Sequence, residues 1–450
     1  MPLRVVDVEA LPRCCWLLDL RAGDCVLFKG AQVEAHSDWF AEGAWAGPYS
    51  KDGFAASPFR CGSGAIVAES FVELLPPSHT LEAIYLFAFR DEERWLASNS
   101  FPCILGARPG PVELPVDFKE LVRRARTLKK GLAANERVLL EEPGGTPSHV
   151  MFAACRIAPA AKTTVEMLPA LPPAPFGNYR GYVDYLKATV VALVENARAE
   201  DRRRPFGECL TSCSSGYDSP AVAVIARHAG CREAATLTTS RGGAADSGAE
   251  VAAMLGLHCH EFPRFATGLE ERGKKDYNID HAKIGADMLR QFEDFLISIV
   301  TPGDAVYAVF EPLLDNAIFF RGQHGDMVWA LGGDVSPNVL RGDVGGGGFD
   351  AFRHRLGFVS VPVPFIACRH VREIKAIANS DEMAPFRIGG SYDRPIPRRI
   401  CEEAGVARSA IGQAKLRGSV LFGPPPAEFG DPLVSVAARY RAALSEASGV

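Results

Sequence analysis

Residues 210–219, Leu-Thr-Ser-Cys-Ser-Ser-Gly-Tyr-Asp-Ser, constrain the fold of this chain more than any other segment. The apolar start predicts a buried strand, and the small residues after it predict a tight turn that runs directly into a helix. We expect this helix over residues 220–229, with Pro220 at its first position and Ser219 as its cap. The free N–H groups and the positive dipole end of such a helix face the turn, which indicates an anion site.

The chemistry of the turn favours phosphate with a bound metal ion. Serine hydroxyls surround Gly216, the one residue there that can take a positive φ without strain. The turn has no lysine, unlike the Walker P-loop, and it carries Asp218, which beside phosphates serves as a Mg²⁺ ligand. An ordinary serine-rich turn between a strand and a helix is the alternative. The predicted phosphate ligands are Ser214, Ser215, Gly216, Tyr217, Asp218 and Ser219.

Strand and helix patterns alternate around this turn. Strands are predicted at 208–213, 234–239 and 258–262, and helices at 182–199, 220–229 and 247–255. Short loops between such elements predict an α/β fold, a Rossmann-like parallel sheet covered by helices. Ligands bind these sheets at the carboxyl ends of the strands. Thr239 falls at such an end, so we count it among the nucleotide-binding residues.

The chain is predicted to form two domains. Its 450 residues are enough for two full cores. Residues 1–167 contain short strand patterns and one helix pattern at 117–132, which predicts an α+β domain. The proline-rich residues 168–177 predict a stiff linker. Residues 178–450 then form the second domain, and its tail reads as mostly helical from about residue 368.

Composition excludes several classes of function. The net charge of −5 and the absence of a basic block argue against an obligatory nucleic acid partner. No apolar run reaches the roughly 18 residues of a membrane span, and the start of the chain lacks the apolar core of a signal peptide. We therefore expect no membrane partner and a cytoplasmic location. The twelve cysteines show no short framework spacing, which favours reduced thiols.

Three segments together resemble a known family. Residues 214–219 resemble the Ser-Gly-Gly-x-Asp-Ser pyrophosphate loop of the PP-loop ATP pyrophosphatases. Residues 321–333, Arg-Gly-Gln-His-Gly-Asp-Met-Val-Trp-Ala-Leu-Gly-Gly, look like the second signature of the asparagine synthetase and β-lactam synthetase family. Residues 392–399 and 413–415 fall where that family has its C-terminal helical region and its reactive-centre lysine. The resemblance spans about residues 178–423, and it does not indicate which acceptor substrate is used.

The resemblance implies an AMP-forming ligase. Such an enzyme adenylates a carboxylate or an amide oxygen of a small molecule, passes it to a nitrogen nucleophile, and releases AMP and pyrophosphate. ATP is the implied substrate and Mg²⁺ the implied cofactor, with Asp218 and Asp326 as metal ligands and Gly325 beside the nucleotide. Lys415 matches the family lysine near the adenylate, with a solvated helix lysine as the alternative. The implied partner is the small-molecule acceptor. Whether the chain forms a homodimer stays open.

The second signature departs from the family pattern at two acids. Gln323 and Met327 stand where the family has carboxylates. A missing carboxylate at 323 removes a general base or an orienting group, so the second half-reaction can differ from that of asparagine synthetase. His324 is the one titratable residue of this segment that the family pattern lacks. We treat it as a catalytic candidate, with a structural histidine as the alternative.

The first domain resembles an inactive glutaminase. The family nucleophile is a cysteine directly after the initiator methionine, and here position 2 is Pro2. Cys14 and Cys15 lie in an apolar run that predicts a core strand. The domain then resembles the inactive counterpart in β-lactam synthetase, and we expect no use of glutamine.

Other readings stay open. A PP-loop enzyme can deliver sulfur instead of nitrogen, and Cys213 is the candidate thiol, with an inert core thiol as the alternative. A nucleotide-binding protein without catalysis is a third reading. We expect no zinc site at His258-Cys-His260, because successive side chains of a strand point to opposite faces. The cluster of Arg394, Arg398 and Arg399 either lines the acceptor pocket or caps the helical tail.

Overall fold

The structure is a computed structural model of the 450-residue chain. First domain and second domain denote residues 1–167 and 178–450, the two parts predicted from the sequence, and within the described residues no helix is long and apolar enough to cross a membrane. The described residues are 1–114, 118–125, 127, 137–139, 141–142, 144–158, 166–167, 174–240, 243–264, 278–279, 292–297, 303–332, 347–390, 392–412, 416, 421–422 and 432–448.

Two six-stranded sheets pack face to face in the first domain. The apolar residues of both inner faces form one core that includes Trp16, Phe40 and Leu74. The strands of the first sheet, in spatial order, are Leu3–Asp7, Asp24–Lys29, Trp16–Arg21, Arg94–Ser98, Ile84–Phe89 and Gly145–Val150. Those of the second sheet are Glu166–Met167, Cys155–Ile157, Val72–Leu75, Gly64–Val67, Trp39–Ala41 and Glu34–Ala35. Ala44–Trp45 and Arg60–Cys61 form a separate short pair.

The described residues of the first domain also form three short α-helices, Lys51–Ala56, Phe101–Ala107 and Phe118–Ala125. Helix Phe118–Ala125 lies within the predicted helix at 117–132, and residues 117, 126 and 128–132 lie outside the described residues. Most of the predicted proline linker also lies outside them. Strands and helices in one domain agree with the α+β prediction.

A parallel five-stranded sheet is the centre of the second domain, which confirms the α/β class. Its strands in chain order are β1 (Cys209–Ser212), β2 (Glu233–Leu237), β3 (His258–Phe262), β4 (Ile318–Arg321) and β5 (Val359–Pro362). Their spatial order is β3-β2-β1-β4-β5, with every pair parallel. In chain order, β2 and β3 therefore extend the sheet on one side of β1, and β4 and β5 extend it on the other side.

Helices cover both faces of this sheet because its strands alternate apolar side chains between two cores. Ile318 and Phe320 face a core that includes helices α1 (Tyr179–Ala197) and α2 (Asp218–His228). Phe319 faces a second core, which includes the aromatic residues of helix Gly347–Leu356. Burial on both sides explains the continuous apolar run Ile318–Phe320 of β4.

The helix after the serine turn begins earlier than predicted. It starts at Asp218 with Tyr217 as its N-cap residue, so Ser219 is not the cap and Pro220 occupies the third position. A proline is tolerated there because the first N–H groups of a helix have no partner within the helix. Gly216 does not use the positive φ that a glycine allows at this position.

The tail is helical, as the sequence predicts. Its last helix, Pro432–Ser448, packs against helix Phe101–Ala107 of the first domain. The other α-helices of the second domain are Ala249–Met254, Glu311–Leu314, Gly325–Val328, Val371–Asn379 and Pro395–Glu403. The 3-10 helices are Gly303–Phe310, Val363–Phe365, Cys368–His370, Asp381–Phe386 and Arg408–Ala410, and two short strands pair at Asn278–Ile279 and Leu421–Phe422.

A buried ion cluster joins the two domains. Arg353 of the second domain donates to Glu42 at 2.7 Å and to Glu82 at 2.7 Å, both in the first domain. The arginine and Glu42 side chains are almost fully buried, and Glu82 is 7% exposed. Burial alone opposes the charge, but the two carboxylates hold the pKa of Arg353 well above its usual value.

Candidate functional site

The serine turn and the second signature meet at the carboxyl ends of the strands of the parallel sheet. Residues 213–217 follow the carboxyl end of β1, and residues 322–326 follow the carboxyl end of β4. β1 and β4 are neighbours, and the strand order reverses between them. A reversal of this kind opens a crevice at the carboxyl ends of the strands, where open α/β sheets bind ligands.

Two glycines of the second signature allow this close approach. A Cβ atom on Gly325 would lie 2.5 Å from Cγ of Asp218, and one on Gly322 would lie 2.8 Å from the backbone nitrogen of Ser219. Both distances are too short for any side chain. The glycines therefore place Asp326, the residue after Gly325, beside the first turn of α2.

The serine turn is held by its own hydroxyl groups. The Oγ atoms of Ser214 and Ser219 lie 2.7 Å apart, and the Gly216 N–H donates to Oγ of Ser214 at 3.2 Å. Ser214, Ser215, Gly216 and Ser219 are all half-buried. The turn thus presents a ring of polar groups at the start of α2.

Asp246 supports the turn from the loop after β2. Its Oδ1 accepts the Ser215 hydroxyl at 2.7 Å and the Ser215 N–H at 3.3 Å. Burial raises the pKa of Asp246, and the bonds from Ser215 act in the opposite direction. Thr239 lies in the same loop, in a β-bridge with Ala245. Asp246 was not among the predicted site residues, because its partner lies 31 residues away and no local pattern marks it.

Asp218 forms an ion pair with Arg394. The guanidinium Nη1 lies 2.5 Å from Oδ2 of Asp218, and the Arg394 side chain is only 6% exposed. Arg394 is the N-cap residue of helix Pro395–Glu403, and its guanidinium lies over the ring of Tyr392. Arg394 therefore brings a positive charge to a predicted metal ligand.

Arg398 and Arg399 have different roles. Arg398 is buried and donates to the hydroxyl of Tyr217, while Arg399 pairs with Glu382 and Glu403. The Tyr217 ring is fully buried and would overlap a Cβ atom on Gly412. Tyr217 therefore positions the turn from inside the core.

Lys415 lies outside the described residues. The described chain nearby does reach the site, because the Gly412 N–H donates to the carbonyl oxygen of Ser215 at 2.8 Å.

His324 is buried and has a left-handed backbone, with φ of 75°. Its ring stacks on Phe365 at a centroid distance of 4.3 Å. This packing favours the structural reading over the catalytic one. Gln323, Asp326 and Met327 are half-buried around it.

Lys375 fixes the end of the second signature. Its Nζ donates to the carbonyl oxygens of Ala330 and Gly332, the latter at 2.6 Å. Burial lowers the pKa of Lys375, and nearby Arg394 lowers it further. The sequence analysis missed this residue, since nothing in the local pattern distinguishes it from a lysine on a helix surface.

The residues present fit a magnesium-bound triphosphate. Tyr217, the N-cap residue of α2, makes no side-chain cap hydrogen bond, and the amino terminus of a helix favours anions. Asp218 supplies carboxylate oxygens there, and Asp326 adjoins it through Gly325. Oxygen donors of this kind suit Mg²⁺. ATP binding and magnesium binding stay predictions.

The thiols near the site are buried. Cys213 is 4% exposed, and burial raises its pKa to about 12. A Cβ atom on Gly248 would lie 2.8 Å from its sulfur, so the thiol is enclosed by the next loop. A protonated and enclosed thiol is a poor nucleophile.

No protein-family model matches this chain, and no curated protein matches its sequence.

Proposed function

We propose that this chain is an ATP-dependent, AMP-forming ligase that adenylates a carboxylate or amide oxygen of a small molecule and transfers it to a nitrogen nucleophile. The observation that carries the proposal is the contact between the two signatures. Gly325 brings the second signature against Asp218 at the amino terminus of α2, in the crevice where the strand order reverses. A phosphate site with two adjacent carboxylates is an arrangement for nucleotide chemistry.

In the first step, an oxygen of the acceptor attacks the α-phosphorus of ATP. The bond from that phosphorus to the bridging oxygen breaks, and pyrophosphate leaves with the electron pair. The N–H groups at the start of α2 and the hydroxyls of Ser214 and Ser219 bind this leaving group. Asp246 accepts both the Ser215 hydroxyl and the Ser215 N–H, and so it holds the backbone of the turn in place around the leaving group.

Asp218 and Asp326 are the residues that hold Mg²⁺, which when bound neutralises charge on the phosphates. Arg394 adds a fixed positive charge at the same place, because it is nearly buried and cannot be screened fully by water. The chain therefore stabilises the developing negative charge with an arginine and a helix amino terminus in addition to the metal.

In the second step, a nitrogen nucleophile attacks the activated carbon, and AMP leaves with the electrons of the broken carbon–oxygen bond. The nitrogen must lose a proton in this step. Neither Gln323 nor Met327 supplies a base, and His324 is packed against Phe365. We propose that the nucleophile gives its proton to the departing phosphate or to water.

Incubation with ATP, Mg²⁺ and an accepted small molecule is expected to produce AMP and pyrophosphate in equal amounts. Pyrophosphate release across a panel of carboxylates and amides, with and without amines, measures this and identifies the acceptor. ADP and inorganic phosphate as products would exclude the proposed class of reaction.

Cys213→Ala is expected to leave ATP cleavage and product formation nearly unchanged, because the parent thiol is enclosed and protonated. Its cost is a small loss of stability from a truncated core side chain. Rates of AMP and product formation test this. A variant that releases AMP without forming product, with a persulfide trapped on Cys213 in the parent chain, would instead establish sulfur transfer.

Glutamine is expected not to serve as the nitrogen donor. The cysteines of residues 1–167 are all buried, and Cys14 and Cys15 have no exposed surface. Burial raises the pKa of Cys14, and a hydrogen bond with Cys103 together with burial raises that of Cys15. Glutamate release is the measurement, with a free amine as the positive control for product formation. Glutamate formed by the parent and lost in Cys15→Ala contradicts the expectation.

A further inference from the structure

Three metal-binding side chains meet on β2 and β3, apart from the site described above. Glu233 and His258 are direct partners at the start of their strands, and Ala235 pairs with His260. Side chains at positions i and i+2 of a strand share a face, so His258 and His260 lie together on one face. The expectation that alternation prevents shared ligation was wrong, because only the intervening Cys259 points away.

The donor atoms of the three residues already converge. Nδ1 of His258 and Nε2 of His260 each lie 2.8 Å from Oε2 of Glu233. All three donor atoms lie within 4.8 Å of one another. The side chains are 69%, 31% and 37% exposed for His258, His260 and Glu233, so an ion can reach them from solvent without moving the core.

We propose that Glu233, His258 and His260 form a binding site for one transition-metal ion, with Zn²⁺ as the ion that fits best. Two imidazole nitrogens and one carboxylate oxygen form a common zinc donor set, and water completes the tetrahedron. Small side-chain shifts bring the donors from hydrogen-bonding distance to the roughly 2.0–2.2 Å of zinc bonds. Mg²⁺ prefers oxygen donors alone, so this is not a second magnesium site.

The position of the cluster separates it from the proposed reaction. It lies at the amino-terminal start of β2 and β3, whereas the serine turn follows the carboxyl end of β1. β3 is the edge strand of the sheet. An ion held by Glu233 on β2 and by two histidines on β3 would fasten this edge strand to its neighbour.

Another group of donors within the described residues does not qualify. Glu42, Glu82 and His354 also lie within reach of one another. The guanidinium of Arg353 sits among them, 2.7 Å from each carboxylate and 3.0 Å from the histidine. The Arg353 guanidinium already neutralises that group, whereas Glu233, His258 and His260 have no arginine or lysine among them.

Zinc titration of the full chain against a chromophoric chelator tests the proposal. We expect one tight site, with affinity reduced at least about tenfold in His260→Ala and in Glu233→Ala. His228→Ala, an exposed histidine on α2, is the matched control and should bind like the parent. Circular dichroism of each variant confirms the fold, and His258→Ala replaces any variant that fails to fold.

Co²⁺ in place of zinc reports the donor type. Nitrogen and oxygen donors give d–d absorption without a thiolate charge-transfer band, and this spectrum should vanish in His260→Ala. Equal zinc affinity in the parent and in His260→Ala overturns the proposal. A thiolate band also overturns it, because the ion would then be bound through a cysteine.

Discussion

Asp218→Asn and Asp326→Asn should each reduce ATP-dependent turnover by roughly a hundredfold or more. Loss of a charged metal ligand removes several kcal/mol of transition-state stabilisation, and about 3 kcal/mol corresponds to roughly a hundredfold in rate. Gly325 lies against the Asp218 side chain at the start of α2, and Asp326 is the next residue after Gly325, so we expect both carboxylates to serve the same metal ion. The rate of pyrophosphate release at saturating ATP and acceptor is the measurement.

A control separates this effect from a general loss of charge. Asp184→Asn removes an exposed carboxylate from α1 and should leave turnover unchanged. All three variants should keep the parent circular dichroism spectrum. Near-normal turnover in Asp218→Asn or in Asp326→Asn would mean that the metal is held elsewhere and that the motif comparison is wrong.

Arg353→Met is expected to lower the free energy of unfolding by about 3–5 kcal/mol. The arginine neutralises Glu42 and Glu82 in the buried interface between the domains. Without it, two carboxylates stay buried and uncompensated, and burial of an unpaired charge is far costlier than loss of an exposed pair. Urea-induced unfolding measures the difference.

The matched control is the exposed ion pair across the same interface. Arg13 and Asp315 also join the two domains, but their side chains are 47% and 64% exposed. Arg13→Met should cost at most about 1 kcal/mol. Adding Glu42→Gln and Glu82→Gln to Arg353→Met should recover part of the loss, since no buried charge then remains. Equal losses for Arg353→Met and Arg13→Met would show that the buried cluster carries no special stability.

The sequence predicted the strand, turn and helix around residues 210–219 because their cause is local. Apolar residues form a strand, small residues allow the turn, and helical spacing follows. The start of α2 was misplaced by two residues, because Ser219 and Pro220 match common capping preferences. In the structure Tyr217 is the N-cap residue, and the packing of its ring beneath Gly412 fixes that start.

The partners of the site residues could not be predicted in the same way. Asp246 lies 31 residues from Ser215, and Arg394 lies 176 residues from Asp218. A single sequence contains no signal for a pair at such separation. The glycines at 322 and 325 were visible as part of a motif, but their contact with α2 requires β1 and β4 to be neighbours.

The sequence by itself determined the α/β class of the second domain, the mixed class of the first and the edge of the sheet where the polar turns fall, since residue patterns of short range set all three. The tertiary structure alone decided the strand order, the pairing of Asp218 with Arg394, the packing of Pro432–Ser448 on the first domain, and the face shared by His258 and His260 with Glu233. The reason is physical: local geometry follows from neighbouring residues, whereas burial and charge pairing depend on which distant segments share one core.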